Sequence, residues 1–309
     1  DELFKYNNKN GVPYIHSYRY SVYGGKQSGH LWWREVSIFL VDKLGFISLT
    51  NLHAVFAKQV GTKIIWVGIF VDDGECFYND AELFAWFQKR MINRFGAKFM
   101  GRVGHYLGGE VQYDDNADIT TIKLKSYMEQ IATQWGFDKM KHPRIPLDEE
   151  ITASQQPQND KDKHFMKNKP YAELLGILGW FRTQVGPQYG YAFNRLASVT
   201  SNPALMHFRL LKRCLTHVYR SRNLGWTCHG IHSSHKLDIP ELEHMGPEDL
   251  FILFDSNFGT QDCSYPQVSA QAYLGFACIM DVSTQIKLTA TSTCEAEMVI
   301  GHLTPYHFA

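Results

Sequence analysis

Hydrophobic residues recur at helical spacing in five stretches of this chain. The first covers residues 29–45, where apolar side chains three or four positions apart precede Gly45, a residue type that ends helices. The same spacing predicts helices over residues 79–95, 126–135, 171–198 and 204–222.

Runs rich in β-branched and aromatic residues between these helices predict strands. The run 63–71 holds Ile, Val, Trp and Phe, as a buried strand does. Asp72, Asp73 and Gly74 are turn residues, so residues 75–78 are expected to return as the hairpin partner. Further strands are predicted over residues 53–58, 106–113, 119–124, 250–254, 270–280 and 284–289. Strands and helices in this arrangement predict an α+β (α/β) fold class.

Two polar segments interrupt the pattern and indicate boundaries. Residues 141–169 hold three prolines, many polar side chains and the charge run 159–163, which is typical of a linker. Residues 229–249 form a second predicted loop.

Composition excludes several classes of protein. The chain has 309 residues, of which 44% are hydrophobic and 20% charged, a balance typical of globular proteins. No run of about 18 apolar residues predicts a membrane span, and residues 1–5 do not resemble a signal peptide. The six cysteines form no C-x-x-C pair, which favours free thiols in a reducing compartment. Because the first residue is not Met, the chain is expected to be a fragment or a processed product.

The net charge of zero hides an uneven distribution. Residues 151–236 contain 12 basic and 3 acidic residues, a net charge of +9, whereas residues 237–309 contain 1 basic and 10 acidic residues, a net charge of −9. A basic middle and an acidic end suit partners of opposite charge, so the zero total does not exclude nucleic acid.

Asp72 and Asp73 are the sharpest chemical signal in the sequence. Two adjacent carboxylates after a buried strand repel each other unless cations lie between them, and carboxylate oxygens are ligands for Mg²⁺ or Mn²⁺. Two such metals can activate a 3′-hydroxyl and stabilise a leaving pyrophosphate. The same residues with Gly74 also suit an ordinary hairpin turn, and the local sequence leaves both interpretations open.

Two further segments have both a chemical and a structural interpretation. The glycine-rich residues 21–29 can present backbone N–H groups to phosphates or bases, or can simply reverse the chain. Asp255 after a strand, with Glu295 and Glu297 after Thr293, suits a second two-metal site, or equally a capped helix start with acidic residues in its first turn.

Three histidines and one basic helix also have both a chemical and a structural interpretation. His229, His232 and His235 have a spacing that zinc accepts, but no fourth ligand is evident. The helix predicted over residues 204–222 has no acidic neighbour in sequence, so its basic side chains suit either a surface facing a polyanion or a solvated face. They are Arg209, Lys212, Arg213, Arg220 and Arg222.

In their order along the chain, six segments resemble the reverse transcriptase and ribonuclease H part of copia-type LTR retrotransposon Pol polyproteins. The family motif S-L-Y-G-L-K-Q-S is matched by residues 21–28, and Y-V-D-D by residues 70–73. Y-F-L-G-I-E-I is similar to residues 105–111, and A-L-K-R-V-L-R-Y-L-K-G-T to residues 210–221. S-D-A-D-W-A and S-S-T-E-A-E-Y are similar to residues 254–259 and 291–298.

This resemblance implies roles for the candidate residues. Asp72 and Asp73 would be palm metal ligands, and Asp255 with Glu297, or less closely Glu295, would be ribonuclease H carboxylates that bind Mg²⁺ or Mn²⁺. Tyr23, Gly24, Lys26 and Gln27 would lie near the template and the incoming dNTP, and Gly108 and Glu110 near the primer-binding hairpin. Arg209, Lys212 and Arg213 would lie in a helical connection close to an RNA–DNA hybrid. The implied parts are a palm and thumb part over residues 1–145, a linker and connection over residues 146–245, and the start of a ribonuclease H-like domain over residues 246–309.

The sequence departs from the family pattern at several positions, and the resemblance also implies a cellular location. Gly25 and Gly109 stand where the family has Leu and Ile, and Gly74 and Glu75 where it has apolar residues. The first palm aspartate is expected upstream of residue 1 and the third ribonuclease H carboxylate beyond residue 309, so weak or absent activity is expected of this chain. The alternatives are a non-catalytic nucleic-acid-binding relic or domesticated protein, and a protein-interaction module. The implied location is a cytoplasmic virus-like particle or the nucleus.

Overall fold

The computed structural model describes residues 24–49, 52–148, 160–230, 249–257, 266–274 and 277–285, with residues 232, 246, 292, 295, 297 and 298. The chain forms two compact units, Asp1–Val103 and Gly104–Ala309. Every pair of strands in the described residues is antiparallel, and helices pack against the sheets. The fold class is therefore α+β, as predicted.

In the first unit, two helices pack against a four-stranded sheet. Helix α1 (Ser28–Ile38) continues through a π-helical turn (Phe39–Lys43) and ends at Gly45, whose φ of 70° favours glycine. The remaining elements are β1 (Ile47–Ser48), β2 (Val55–Val60), β3 (Lys63–Phe70), β4 (Asp73–Tyr78) and α2 (Ala81–Phe95), and the strands lie in the order β1-β2-β3-β4. Phe56, Ile65, Val67 and Phe87 are fully buried between sheet and helices. Both predicted helices and the predicted pairing of two strands are confirmed, but the turn lies one residue earlier than predicted: it is Val71–Asp72, and Asp73 and Gly74 already belong to β4.

The second unit begins with a sheet whose last strand comes from far along the chain. Its elements are β5 (His105–Tyr106), β6 (Gly109–Asp114), β7 (Ile119–Lys123) and α3 (Lys125–Trp135). Strand β8 (Trp226–His229) pairs with β7, giving the order β5-β6-β7-β8. The sequence pattern did not predict β8, because four residues that follow a basic helix after a short turn show too little alternation of apolar and polar residues to indicate a strand.

Four further helices form the core of the second unit together with α3. They are α4 (Asp160–Lys167), α5 (Tyr171–Val185), α6 (Gly190–Ser198) and α7 (Leu205–Arg220). The single helix predicted over residues 171–198 is wrong: Gly186 and Pro187 divide it, since a proline inside a helix removes a hydrogen bond and clashes with the preceding turn. Helix α4 falls inside the predicted linker, where its Met166 side chain is buried in the core of the unit.

A three-stranded sheet packs beside these helices. It consists of β9 (Leu250–Ser256), β10 (Gln267–Leu274) and β11 (Ala277–Gln285), in the order β11-β10-β9. Asp281 on β11 accepts hydrogen bonds at Oδ2 from Nε and Nη2 of Arg182 on α5, at 2.9 and 2.7 Å. This ion pair links the sheet to the helical part of the same unit.

Gly109 is expected to be required by the packing of the β6–β7 hairpin. A Cβ at this position would lie 2.9 Å from Cγ2 of Ile122 and 3.2 Å from the carbonyl oxygen of Tyr106. The substitution Gly109→Ile, which restores the usual family residue, is expected to lower the free energy of unfolding by about 1–3 kcal/mol through overpacking. Urea denaturation measures this change.

Gly104→Ala is the matched control, because a Cβ at Gly104 meets no atom within 4 Å. Equal stability of Gly109→Ile and the wild type would show that the hairpin relaxes around the larger side chain.

Candidate metal and nucleic-acid site

The two carboxylates of the strongest sequence signal lie at the tip of the β3–β4 hairpin. Phe70 pairs with Asp73, so Val71 and Asp72 form a two-residue turn. Asp72 and Asp73 are both exposed, and Asp73 opens strand β4. The turn therefore presents two adjacent carboxylates to solvent from the end of β3, a strand in which Ile65 and Val67 are buried and Phe70 is exposed.

Val71 has an unusual backbone conformation in this turn. Its φ of 54° lies in the region that favours glycine, whereas Asp72 is absent from the residues with positive φ. Positive φ at the first turn position alone is the pattern of a type II′ hairpin turn, which usually has glycine there. A β-branched residue with positive φ is strained, so other contacts must hold the turn in place.

One such contact comes from helix α1. Nε1 of Trp32 donates a hydrogen bond to the carbonyl oxygen of Val71. The indole ring also packs edge-on against Phe95 at the end of α2, with ring centroids 5.2 Å apart. The helix that follows the glycine-rich segment is thus joined directly to the turn that carries the carboxylates.

The glycine-rich segment lies at the start of α1 as an exposed turn. Gly24 has a φ of 84°, and Lys26 and Gln27 are exposed. The carbonyl oxygen of Gly25 accepts a hydrogen bond from the backbone N–H of Ser28 at 3.0 Å, so the segment is a turn that leads into the helix. Tyr23 lies outside the described residues. The roles of these residues toward template and dNTP stay predictions.

Gly108 and Glu110 have structural roles in the second unit. Leu107 and Gly108 form the two-residue turn of the β5–β6 hairpin, and their φ values of 50° and 79° are those of a type I′ turn. Glu110 accepts a hydrogen bond at Oε1 from the backbone N–H of Ser126, 2.7 Å away in the first turn of α3. Hydrogen bonds from the side chain and backbone of Ser126 lower the pKa of Glu110. Contact of either residue with a primer stays a prediction.

Glu110 is expected to make the stability of the hairpin dependent on pH. Its pKa in the folded protein is lower than the ordinary value of 4.5, so its contribution is present above that value and is lost as pH falls through the folded pKa. Glu110→Gln is expected to remove this part of the acid destabilisation below about pH 4.5, which thermal unfolding across pH 2–7 would measure. An identical pH profile in both proteins would contradict the capping role.

Side chains of the basic helix α7 divide into two groups. Arg213 pairs with Asp148 at 3.0 Å, and Arg222, just beyond the helix, pairs with Glu129 at 2.9 Å. Nη2 of Arg220 donates to the carbonyl oxygens of Asp138 and Met140. The acidic partners that the local sequence lacks therefore come from other elements. Arg209 and Lys212 are left as the Arg and Lys side chains of α7 for which neither an ion pair nor a hydrogen bond occurs within the described part of the chain.

The late carboxylates are described only in part. Asp255 is exposed on β9, opposite Ser269 of β10. Glu295 and Glu297 are exposed, and the backbone N–H of Glu295 donates to Oγ of Ser292, as in a capped helix start. His235 and Thr293 lie outside the described residues. The roles of Asp255, Glu295 and Glu297 as metal ligands stay predictions.

No group of three or more His, Cys, Asp or Glu side chains that could hold a metal ion occurs in the part of the chain that the structure describes. Asp72 and Asp73 are nevertheless a donor set that Mg²⁺ accepts, since this ion is often bound by one or two carboxylates together with water and substrate phosphates. Burial raises the pKa of the Cys76 thiol, three residues further along β4, to about 12, so this thiol is protonated at neutral pH.

Comparison with known proteins identifies the class of this domain. Residues 5–149 match the reverse transcriptase (RNA-dependent DNA polymerase) family. This match contains the glycine-rich segment, helix α1, the hairpin with Asp72 and Asp73, and the β5–β7 strands. Residues 5–149 are therefore a reverse transcriptase family domain.

Relatives of the chain are copia/Ty1-type LTR retrotransposon proteins. A transposon Ty5-1 protein of Saccharomyces cerevisiae is 22% identical over 218 residues, which are 70% of this chain and 68% of that protein. A retrovirus-related Pol polyprotein from transposon RE1 of Arabidopsis thaliana is 23% identical over 70% of this chain and 14% of its own length. The transposon Ty1-GR1 Gag-Pol polyprotein of Saccharomyces cerevisiae is 23% identical over 90% of this chain and 16% of its own length. The resemblance to copia-type LTR retrotransposon Pol polyproteins is confirmed, and its ribonuclease H part stays a prediction.

The chain thus spans about one sixth of the Pol polyproteins it matches, and about two thirds of the Ty5-1 protein. No solved structure matches it. None of the helices in the described residues is long and apolar enough to cross a membrane.

Proposed function

We propose that this chain is part of an RNA-directed DNA polymerase with ribonuclease H of the copia/Ty1 type. The carrying observation is the exposed Asp72–Asp73 pair at the tip of a hairpin, held by the helix that follows the glycine-rich segment. Asp72 and Asp73 would bind Mg²⁺ or Mn²⁺, which would activate the primer 3′-hydroxyl and stabilise the leaving pyrophosphate of a dNTP. The partners would be an RNA template, a DNA primer and their hybrid, in a cytoplasmic virus-like particle or the nucleus.

Several features support contact with nucleic acid. Lys26 is exposed beside backbone N–H groups at the start of α1, where a phosphate would be favoured by both the hydrogen bonds and the helix dipole. Arg209 and Lys212 are the Arg and Lys side chains of α7 without an ion pair or hydrogen bond within the described part of the chain, and they would face the hybrid. Each such side chain that neutralises a phosphate makes binding weaker as salt increases.

A ribonuclease H role is proposed for the β9–β11 sheet. Asp255 lies on an edge strand of an antiparallel three-stranded sheet, and its sequence neighbours resemble those of the family's first ribonuclease H carboxylate. Glu297, or in its place Glu295, would be the second carboxylate. Together they would bind the divalent metals that cleave the RNA strand of a hybrid.

Primer extension tests the proposal. The purified chain is incubated with a DNA primer annealed to an RNA template, dNTPs, and Mg²⁺, Mn²⁺ or EDTA, and its binding to the same duplex is measured at 50 and 200 mM salt. Extension that requires the metal supports the polymerase.

Because the first palm aspartate is expected upstream of residue 1, only weak extension is expected of this chain. Salt-sensitive binding of the duplex with no extension in either metal would overturn polymerase activity of this chain and favour the nucleic-acid-binding relic. Absence of both would favour the protein-interaction module.

A further inference from the structure

We infer that Trp32 is a positioning residue for the Asp72–Asp73 pair. It holds the hairpin turn in the conformation that presents both carboxylates, and it transmits the position of helix α1 to them. The inference rests on the proposed function, in which Asp72 and Asp73 bind the metal ions.

The turn needs support because its first residue is strained. Val71 has a φ of 54°, and its side chain is 57% exposed, so side-chain packing does little to stabilise this conformation. A non-glycine residue in such a region is strained and persists only when surrounding contacts determine its conformation. The hydrogen bond from Nε1 of Trp32 to the Val71 carbonyl oxygen is a contact of this kind, one peptide bond away from Asp72.

Trp32 is itself fixed by aromatic packing. Its ring is edge-on to Phe95 at 5.2 Å, and Phe39 contacts the same Phe95 ring edge-on at 5.2 Å. The Arg94 guanidinium lies 5.3 Å from the Phe95 ring centroid and pairs with Glu35 of α1 at 3.1 Å. The Trp32 indole is therefore packed against a connected group of side chains from α1, its π-helical continuation and α2.

The position of Trp32 on α1 links its hydrogen bond with Val71 to the glycine-rich turn. Trp32 lies one helical turn after Ser28, the residue that ends the glycine-rich turn. A shift of α1 when Lys26 or Gln27 contacts a ligand would move the indole N–H relative to the Val71 carbonyl. The carboxylate pair would then respond to occupancy of the start of α1 without touching that ligand.

The substitution Trp32→Phe tests this role, because it keeps an aromatic ring against Phe95 and removes the donor. Trp33→Phe is the matched control, since Trp33 is the next residue on α1 and is 38% exposed. Two readouts are needed. Amide hydrogen exchange over residues 68–76 reports the hairpin tip, and electron paramagnetic resonance of Mn²⁺ reports metal affinity, with Asp72→Asn/Asp73→Asn as the reference without the site.

For Trp32→Phe we expect exchange at the tip to increase at least threefold and Mn²⁺ affinity to fall at least threefold, with Trp33→Phe unchanged in both. A merely structural role would lower the melting temperature without selective exchange at the tip. Wild-type exchange and affinity in Trp32→Phe would overturn the inference while leaving the proposed function in place. Absence of Mn²⁺ binding that depends on Asp72 and Asp73 in the wild type would overturn the proposed metal site, whereas the exchange readout would still decide the link between Trp32 and the turn.

The Val71→Gly background tests whether Trp32 acts through the strained turn. Glycine adopts positive φ without steric cost, so the turn no longer depends on the hydrogen bond. The Trp32→Phe effect on exchange and Mn²⁺ affinity is therefore expected to be at least halved, on a logarithmic scale, in the Val71→Gly background. Equal effects in both backgrounds would show that Trp32 acts on the carboxylates by some other route and would overturn the inference.

Discussion

Asp72→Asn/Asp73→Asn is expected to reduce metal-dependent primer extension at least about 100-fold, the loss typical of removing a group that stabilises charge in a transition state. Asn keeps the size and turn preference of Asp, so the hairpin is expected to form as before. Only the two negative charges that are proposed to bind the metal are removed. Extension rates in Mg²⁺ and in Mn²⁺ measure the loss.

The chain contains a matched control for this substitution. Asp114 and Asp115 are a second adjacent carboxylate pair at the end of a strand, in the β6–β7 connection. Asp114 accepts hydrogen bonds from the backbone N–H groups of Asn116 and Ala117, an interaction that Asn can also make. Asp114→Asn/Asp115→Asn is expected to leave extension unchanged. A similar loss in both double variants would contradict a specific role for the β3–β4 tip.

Asp281→Ala is expected to lower the free energy of unfolding by about 3 kcal/mol, as when one partner of a buried ion pair is removed. The side chains of Arg182 and Asp281 are 20% and 13% exposed, so solvent replaces the lost partner poorly. Gly190 at the start of α6 gives the carboxylate its room, because a Cβ there would lie 2.6 Å from Oδ2 of Asp281. Urea denaturation followed by circular dichroism measures the change.

Two comparisons separate the ion pair from simple loss of a side chain. Arg182→Met/Asp281→Ala removes the stranded guanidinium as well, so it is expected to be more stable than Asp281→Ala alone. Asp148→Ala breaks the ion pair between Asp148 and Arg213. The Arg213 and Asp148 side chains are 30% and 41% exposed, so this substitution is expected to lower the free energy of unfolding by at most about 1 kcal/mol. Equal effects of Asp281→Ala and Asp148→Ala would show that the first pair contributes no more than a surface ion pair.

The local pattern of the sequence was sufficient for most elements of the first unit, although not for the two-residue strand β1. The apolar run in residues 63–71 and the turn residues after it predicted the β3–β4 hairpin to within one residue, and helix α2 begins one residue after its capping residue Asp80. Periodicity failed where the determining contacts are distant. Strand β8 exists because Ile122 and Trp226 pair across the sheet, which residues 226–229 alone do not indicate.

The candidate site was predicted in part for the same reason. Asp72 and Asp73 were found because they are adjacent, and the family resemblance located the segment before α1. The hydrogen bond from Trp32 to Val71 joins residues 39 positions apart, so no local pattern indicates it. Arg213 pairs with Asp148 and Arg222 with Glu129, and both acidic partners are distant in sequence. The sequence alone therefore overestimates how many basic side chains of this helix lack an acidic partner.

The late arrival of strand β8 has a consequence for how the protein is made. Until residue 229 has been synthesised, strand β7 (Ile119–Lys123) has an open edge of unpaired N–H and C=O groups. Exposed edges of this kind pair readily with other chains, and pairings between distant segments form slowly. An expression product cut near residue 149, at the end of the reverse transcriptase family match, would keep this edge open and so be prone to aggregate. A soluble recombinant domain should therefore extend past His229.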